Sequence, residues 1–195
     1  MNKFERYEKH PKAKEIADHV REILNVLGLD VNSEGLRRTP IRVAATLLKF
    51  TEGYGRKVKL KRTYTERSNL VANFGIPFLS LCEHHLMPFV GYVDIGYIPR
   101  KNVTGLSKLD KLVQKYALRF QIQERMTDQI ANELWETLEP HGVIVVTEAL
   151  HTCKIIEGHS PTMYVCSACR GVFLWNAAPR SEFMSLREQN RRKML

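Results

Sequence analysis

No apolar run in this sequence approaches the length that a bilayer span requires, so a membrane-spanning protein is not expected. The opening residues, MNKFERYEKHPKAKE, hold no apolar core of the kind that directs export, and the expected compartment is the cytoplasm. Internal repeats, low-complexity tracts and long linkers are all missing, which excludes an array of repeated units. Cysteine is scarce, with Cys82, Cys153, Cys166 and Cys169 the whole supply. In a reducing compartment such thiols are buried small hydrophobes or metal ligands more often than disulfide partners.

What is present fits one principal domain: 195 residues suffice for one well-buried core and not for two full enzyme domains. The 44% hydrophobic and 26% charged content is ordinary for a folded soluble protein. A formal charge of +9 favours anionic partners, whether nucleic acid, acidic lipid or a phosphorylated small molecule. Lysine and arginine are spread over predicted helix faces and both termini, and no nucleic-acid motif is recognisable, so nucleic acid is not the expected partner.

Periodicity divides the chain. Ala13, Ile16, Ala17, Val20, Ile23, Leu24 and Leu27 keep helical spacing up to Gly28, and RTPIRVAATLLKF predicts a second helix capped by Thr39, with Pro40 in its first turn and an end near Gly53. Segments 58–72, 76–81 and 89–98 lean to strand, the last closing at Pro99. GLSKLDKLVQKYALRF predicts a helix opened by a capping-box-like Ser107 and Asp110, and a further helix spans Gln123 to Leu138, stopped by EPHG. VIVVTEALHTCKII predicts a strand, Glu157-Gly158 a turn, TMYVCSACRGVFLW the returning strand and RSEFMSLREQNRRK a terminal helix. The fold class is therefore α+β built on antiparallel hairpins, with an N-terminal helical region at 1–53 and the principal α+β domain at 54–195.

The chemistry concentrates in CEHH, residues 82–85. Cys82 and His85 are three apart, so a tight or helical turn converges them on one ion while His84 points elsewhere. In LHTCK, His151 and Cys153 are two apart, and a strand sends both to one face. If that face meets the CEHH turn, Cys82, His85 and Cys153 give three ligands and leave a fourth position to water, as in a catalytic zinc site. His84 and His151 would stand beside it as proton carriers near neutral pH. CSAC, residues 166–169, has half of a zinc knuckle's ligands and no second pair, and reads as strand core.

These residues resemble the GTP cyclohydrolase I family. The likeness runs from EGLRRTPIRVA to EFMSL, and its most specific blocks are CEHHLMPFVGYVDIGYIP, GLSKL, QIQERMTDQI and HTC. The resemblance implies the tunnelling fold: an antiparallel sheet with two helices on one side, five subunits closing a barrel, two rings stacked as a decamer, and active sites between subunits. It implies conversion of GTP to 7,8-dihydroneopterin triphosphate and formate, by hydrolysis of the imidazole ring at C8 followed by ribose rearrangement and closure of the pterin ring.

Carried over by position, Cys82, His85 and Cys153 match the family's zinc ligands, and His84 and His151 its proton-transfer histidines. Gln123 and Glu124 match the guanine-recognising pair, where a buried carboxylate accepts from N1–H and the 2-amino group and is left unpaired by adenine. Ser107 and Lys108 match phosphate-side residues at a helix start, Arg42 matches an arginine supplied by a neighbouring subunit, and Lys111 stands where arginine is common.

The sequence departs from the family after HTC, where Glu157-Gly158 stands in place of a phosphate-binding arginine before glycine, in a loop about two residues short. A carboxylate there would repel triphosphate unless Arg170 compensates. The alternative expectation is thus the same zinc chemistry on a less phosphorylated guanine nucleotide or nucleoside.

Overall fold

The computed structural model describes residues 4–60 and 69–194, with side chains described as far as Arg191. The chain divides into two compact units, Met1–Glu52 and Gly53–Leu195. The first holds α1 (Glu5–Glu8), α2 (Ala13–Val26) and α3 (Thr39–Lys49), and α4 (Glu52–Gly55) lies at the division. Within this unit Ala13 and Ala17 of α2 are buried, whereas Ile23 and Leu27 of the same predicted stripe are exposed. Arg38 pairs with Glu8 and Arg6 with Glu52, both at 3.0 Å.

Two details of α3 differ from expectation. Thr39 lies inside the helix, Arg38 is the N-cap residue and no side chain caps it. The helix stops at Lys49 rather than near Gly53, and after Phe50 and Thr51 the chain restarts as the short α4.

The second unit is built on one sheet. β1 (Val71–Cys82), β2 (Pro88–Ile98), β4 (Gly142–His151) and β5 (Met163–Gly171) are successively antiparallel, and β3 (Phe120–Gln121) runs parallel to the end of β1, giving the order β3-β1-β2-β4-β5. α5 (Leu106–Ala117) and α6 (Gln123–Leu138) cover one face. There Phe78, Phe89, Val93, Ile95, Val143 and Val145 meet Leu109, Leu112, Val113, Met126, Ile130 and Leu134, all almost wholly buried. α9 (Ala177–Met194) packs on the other face, where Ile144 and Val146 meet Phe173 and Phe183. α6 ends as EPHG predicts: Glu139 turns left-handed at φ 46° and Pro140 follows.

A one-residue bulge in β1 decides which face the end of that strand presents. Asn73 opposes Ile95 but Ile76 opposes Val93, so β1 carries one residue more than β2 between these pairs. Gly75 makes the kink with φ 71°, and its N–H donates to Asp94 Oδ1 at 2.7 Å. Before the bulge Phe74 faces α9; after it Ile76, Phe78 and Cys82 face α5 and α6. Without the extra residue, Cys82 would point to the opposite face.

Other predicted boundaries shift for local reasons. The 58–72 strand falls partly on 61–68, outside the described residues; 58–60 has no regular structure and β1 begins at Val71. The strand predicted through Ile156 ends at His151, where α7 (Thr152–Ile156) begins. The returning strand ends at Gly171, whose φ of 58° turns the chain into α8 (Val172–Trp175). Ser107 is no cap: α5 starts one residue earlier, with Gly105 as N-cap, and Ser107 lies in its first turn. Cys166 and Cys169 lie in β5 opposite Thr147 and Ile144, on different faces of the sheet.

Candidate metal centre and active site

The CEHH loop joins β1 to β2. Cys82 N–H donates to Met87 O and Leu86 N–H donates to Cys82 O, both at 2.8 Å, which winds the loop into a helical turn. Closing it puts Leu86 at φ 54°, a left-handed conformation that costs a side-chain-bearing residue about 1–2 kcal/mol. The loop is tied down at Glu83, whose N–H donates to Gln121 O at 3.1 Å and whose carboxylate pairs with Arg125 at 2.5 Å. Both histidines come back over the thiol: Cys82 Sγ is 3.8 Å from His84 Nδ1 and 3.9 Å from His85 Nδ1. His84 therefore does not point away, contrary to expectation, because both residues belong to the same tight turn.

Cys153 arrives by a route the strand period did not predict. The chain leaves β4 at His151, and Cys153 is carried on α7, pinned where Thr152 Oγ1 donates to Pro88 O at 2.6 Å. One ligand atom each from Cys82, His85 and Cys153 then lie within 4.8 Å of one another. Two thiols and an imidazole in that space suit a thiophilic divalent ion such as zinc. Burial, then the neighbouring Cys82 thiol, push the Cys153 thiol above its ordinary value. A cation between them favours thiolate instead, so binding releases protons.

Beside this cluster lies a cavity of about 290 Å³, whose lining includes His84, Gln123, Glu124, His151, Glu157 and Tyr164. The His151 ring is stacked on Phe89, with centroids 4.7 Å apart and planes 5° apart. Its Nε2 is 2.8 Å from Gln123 Oε1. Gln123 Nε2 donates to Thr147 Oγ1 and Tyr164 O, both at 3.0 Å, so the amide oxygen is the end that accepts from His151. That leaves His151 Nδ1 as the acceptor of the neutral ring, and burial holds the imidazole below its ordinary pKa. Both ends of the Gln123 amide are thereby engaged within the chain, which was not expected of a guanine-recognising residue. Glu124 opens α6 on the exposed side of the cavity rather than in the interior, and its charge raises the Tyr164 phenol.

Two of the phosphate-side residues line another cavity. Lys108 and Lys111 line a separate basic cavity of about 450 Å³ together with Arg56, Lys57 and Lys59. Arg42 is exposed on α3, in the first unit. Arg170 is engaged, donating from Nε to Asn132 Oδ1 at 2.9 Å and pairing with Asp128, so it does not answer for the missing arginine. Glu157 lines the metal-side cavity, with Oε1 3.1 Å from His85 Nε2.

Sequence reasoning missed Phe89, Thr147 and Tyr164. Thr147 and Tyr164 are placed by strand pairing and α6 packing, and Phe89 by the β2–β4 ladder in which it directly opposes His151, so none of the three had a local signal.

Comparison with known proteins follows the same direction. Residues 16–188 match the family described as GTP cyclohydrolase I. The GTP cyclohydrolase 1 of Campylobacter jejuni strain 81-176 is 45% identical over 89% of this chain and 94% of its own length. That of Desulforamulus reducens is 47% identical over 86% and 92%, and that of Gloeobacter violaceus 43% identical over 87% and 82%. Among solved structures, the archaeosine synthase QueF-Like in the apo form aligns at a TM-score of 0.47 and 19% identity over 54% of this chain and 97% of that one, too loose a likeness to carry an argument.

Proposed function

We propose that this chain, which belongs to the GTP cyclohydrolase I family, opens the guanine imidazole ring at C8 with zinc held by Cys82, His85 and Cys153, and recloses it as 7,8-dihydroneopterin triphosphate with release of formate. The observation that carries the metal assignment is the convergence of those three ligand atoms within 4.8 Å at the wall of a cavity. Zinc, when bound, supplies the Lewis acidity that makes water nucleophilic near neutral pH.

The chain's own residues supply the rest. His151, aimed by Gln123 and stacked on Phe89, offers Nδ1 to take and return a proton at the purine nitrogen, and its lowered pKa keeps it a neutral base at physiological pH. His84, close to the same thiol, stands to serve the ribose oxygen. Glu124 accepts from the guanine N1–H and 2-amino group, a pairing adenine cannot offer. Ser107, Lys108 and Lys111 hold triphosphate, Lys108 and Lys111 within a basic cavity that supplies the required sign of charge.

Lys108 and Lys111 line a different cavity from His151 and Glu124, which favours a site completed by other copies, with Arg42 contributed by a neighbour. Among the described residues β5 pairs only with β4, and its Met163, Tyr164 and Val165 are exposed. Edge-to-edge closure by five copies, with two rings making a decamer, would cover such an edge.

The test is to incubate the protein separately with GTP, GDP, GMP and guanosine and follow pterin absorbance and formate. GTP is expected to give the highest turnover. Preference for GMP or guanosine would restore the less phosphorylated substrate. Light scattering should give a ring-sized particle, and an active monomer would remove the shared site.

A further inference from the structure

We propose that Glu157 is the outer partner of the metal ligand His85, its carboxylate accepting the Nε2 proton and so aiming Nδ1 at the cation. The proposal rests on the metal reading above. It explains why an acid stands where the family resemblance leads one to expect a phosphate-binding arginine.

The geometry is reciprocal across one ring. His85 Nδ1 faces Cys82 Sγ at 3.9 Å, and Nε2 lies 3.1 Å from Glu157 Oε1. A neutral imidazole ligates through one nitrogen only if the other carries the proton, and an acceptor on that proton selects the tautomer, orients the ring and raises the basicity of the ligating nitrogen.

The position of the carboxylate is built into the backbone. Glu157 closes α7, and its N–H donates to Cys153 O at 3.1 Å, so ligand and outer partner are one helical turn apart. Gly158, at φ 85°, ends the turn directly after it. The five-residue α7 thus delivers a thiol and a carboxylate together, the thiol toward the metal and the carboxylate toward the far side of a second ligand.

This assignment also removes the conflict with triphosphate. A carboxylate turned on a histidine is not aimed at the phosphates, and its charge is answered by the Nε2–H dipole and by the cation on the far side of the ring. An arginine at 157 would instead set a second cation against the metal-facing imidazole.

Competition of zinc between the full-length protein and a chromophoric chelator tests the idea, with Cys153→Ser and His85→Ala as controls. Both controls should lose zinc; if both retain it, the metal site itself is wrong and the proposal falls with it. Given that loss, Glu157→Ala should bind zinc about 10–100-fold more weakly than wild type, and its cobalt-loaded form should show a shifted visible spectrum. Glu157→Gln should recover most of the affinity, because its amide oxygen still accepts the Nε2 proton. Wild-type zinc affinity and an unshifted cobalt spectrum in a folded Glu157→Ala would overturn the proposal while leaving the metal site intact. Unchanged affinity together with a lower KM for GTP would overturn it too, and would place the carboxylate on the phosphates.

Discussion

Two cavities of nearly equal size lie on opposite faces of the sheet, about 290 Å³ beside the Cys82–His85–Cys153 cluster and about 280 Å³ among Asp94, Glu148 and Arg191. In the second, the charges answer one another. Arg187 Nε donates to Asp94 Oδ2 at 2.6 Å, its Nη2 donates to Glu148 at 3.0 Å, and Arg191 also reaches Glu148. In the first, two thiols and an imidazole converge on one point, and His151, whose Nε2 meets Gln123, lines the cavity. Volume does not separate the two; unsatisfied chemistry does. Buried ions that complete one another hold a fold together, whereas ligands and bases left with capacity can accept a cation or a substrate.

The faces are nevertheless joined. Asp94, held by Arg187 on the α9 side, accepts the Gly75 N–H that forms the β1 bulge, and the bulge turns Cys82 toward the other face. The paired cluster therefore braces the register on which the open one depends.

The sharpest way to break the comparison is to remove a ligand from the open side. Cys153→Ser should lose its metal in elemental analysis and drop turnover by more than the roughly 100-fold that marks the upper range for an outer-shell change. His151→Ala should keep the metal and lose about 10²–10⁴-fold in kcat. If both lost metal equally, His151 would be a ligand rather than a base.

On the paired side the effect should fall on stability. Arg187→Ala leaves Asp94, which is only 4% exposed, with the Gly75 N–H and the more distant Arg191, and should cost about 1.5–3 kcal/mol in denaturant unfolding. The same variant tests the link between faces, because loss of the bulge brace should weaken metal binding even in the folded fraction. Glu124→Gln should be milder, lowering kcat/KM for GTP by about 1–3 kcal/mol with little change in melting temperature. An equal loss of stability would make Glu124 structural.

The smallest effect concerns pH. The hydrogen bond from Arg191, with the charges of Arg191 and Arg187, holds the Glu148 carboxyl below its ordinary pKa despite burial. Its contribution is fully present above the unfolded value of about 4.3 and is lost as pH falls through the lower folded value. Thermal stability should therefore fall below about pH 4.3, and Arg191→Ala should flatten that dependence.

Parts of this arrangement are legible without a structure. Helical spacing marks α2, α5 and α6, and the CEHH spacing shows that Cys82 and His85 can share a turn, because both are properties of neighbouring residues. The i, i+4 relation of Cys153 to Glu157 was equally local, but the strand-like apolar run through Ile156 concealed the helical turn that makes it one. The two-residue β3 left no period to read.

Sequence by itself determined the α+β order, the donor types of a thiophilic metal site and, through motif and identity, the family. Tertiary structure alone decided that the bulge faces Cys82 inward, that Gln123 orients His151, that Arg170 is tied to Asp128, and that Glu157 meets His85. The physical reason is range: propensity and spacing act within a turn or a strand, whereas strand register, and the pairing of residues far apart along the chain, exist only once the sheet has assembled and the helices have packed upon it.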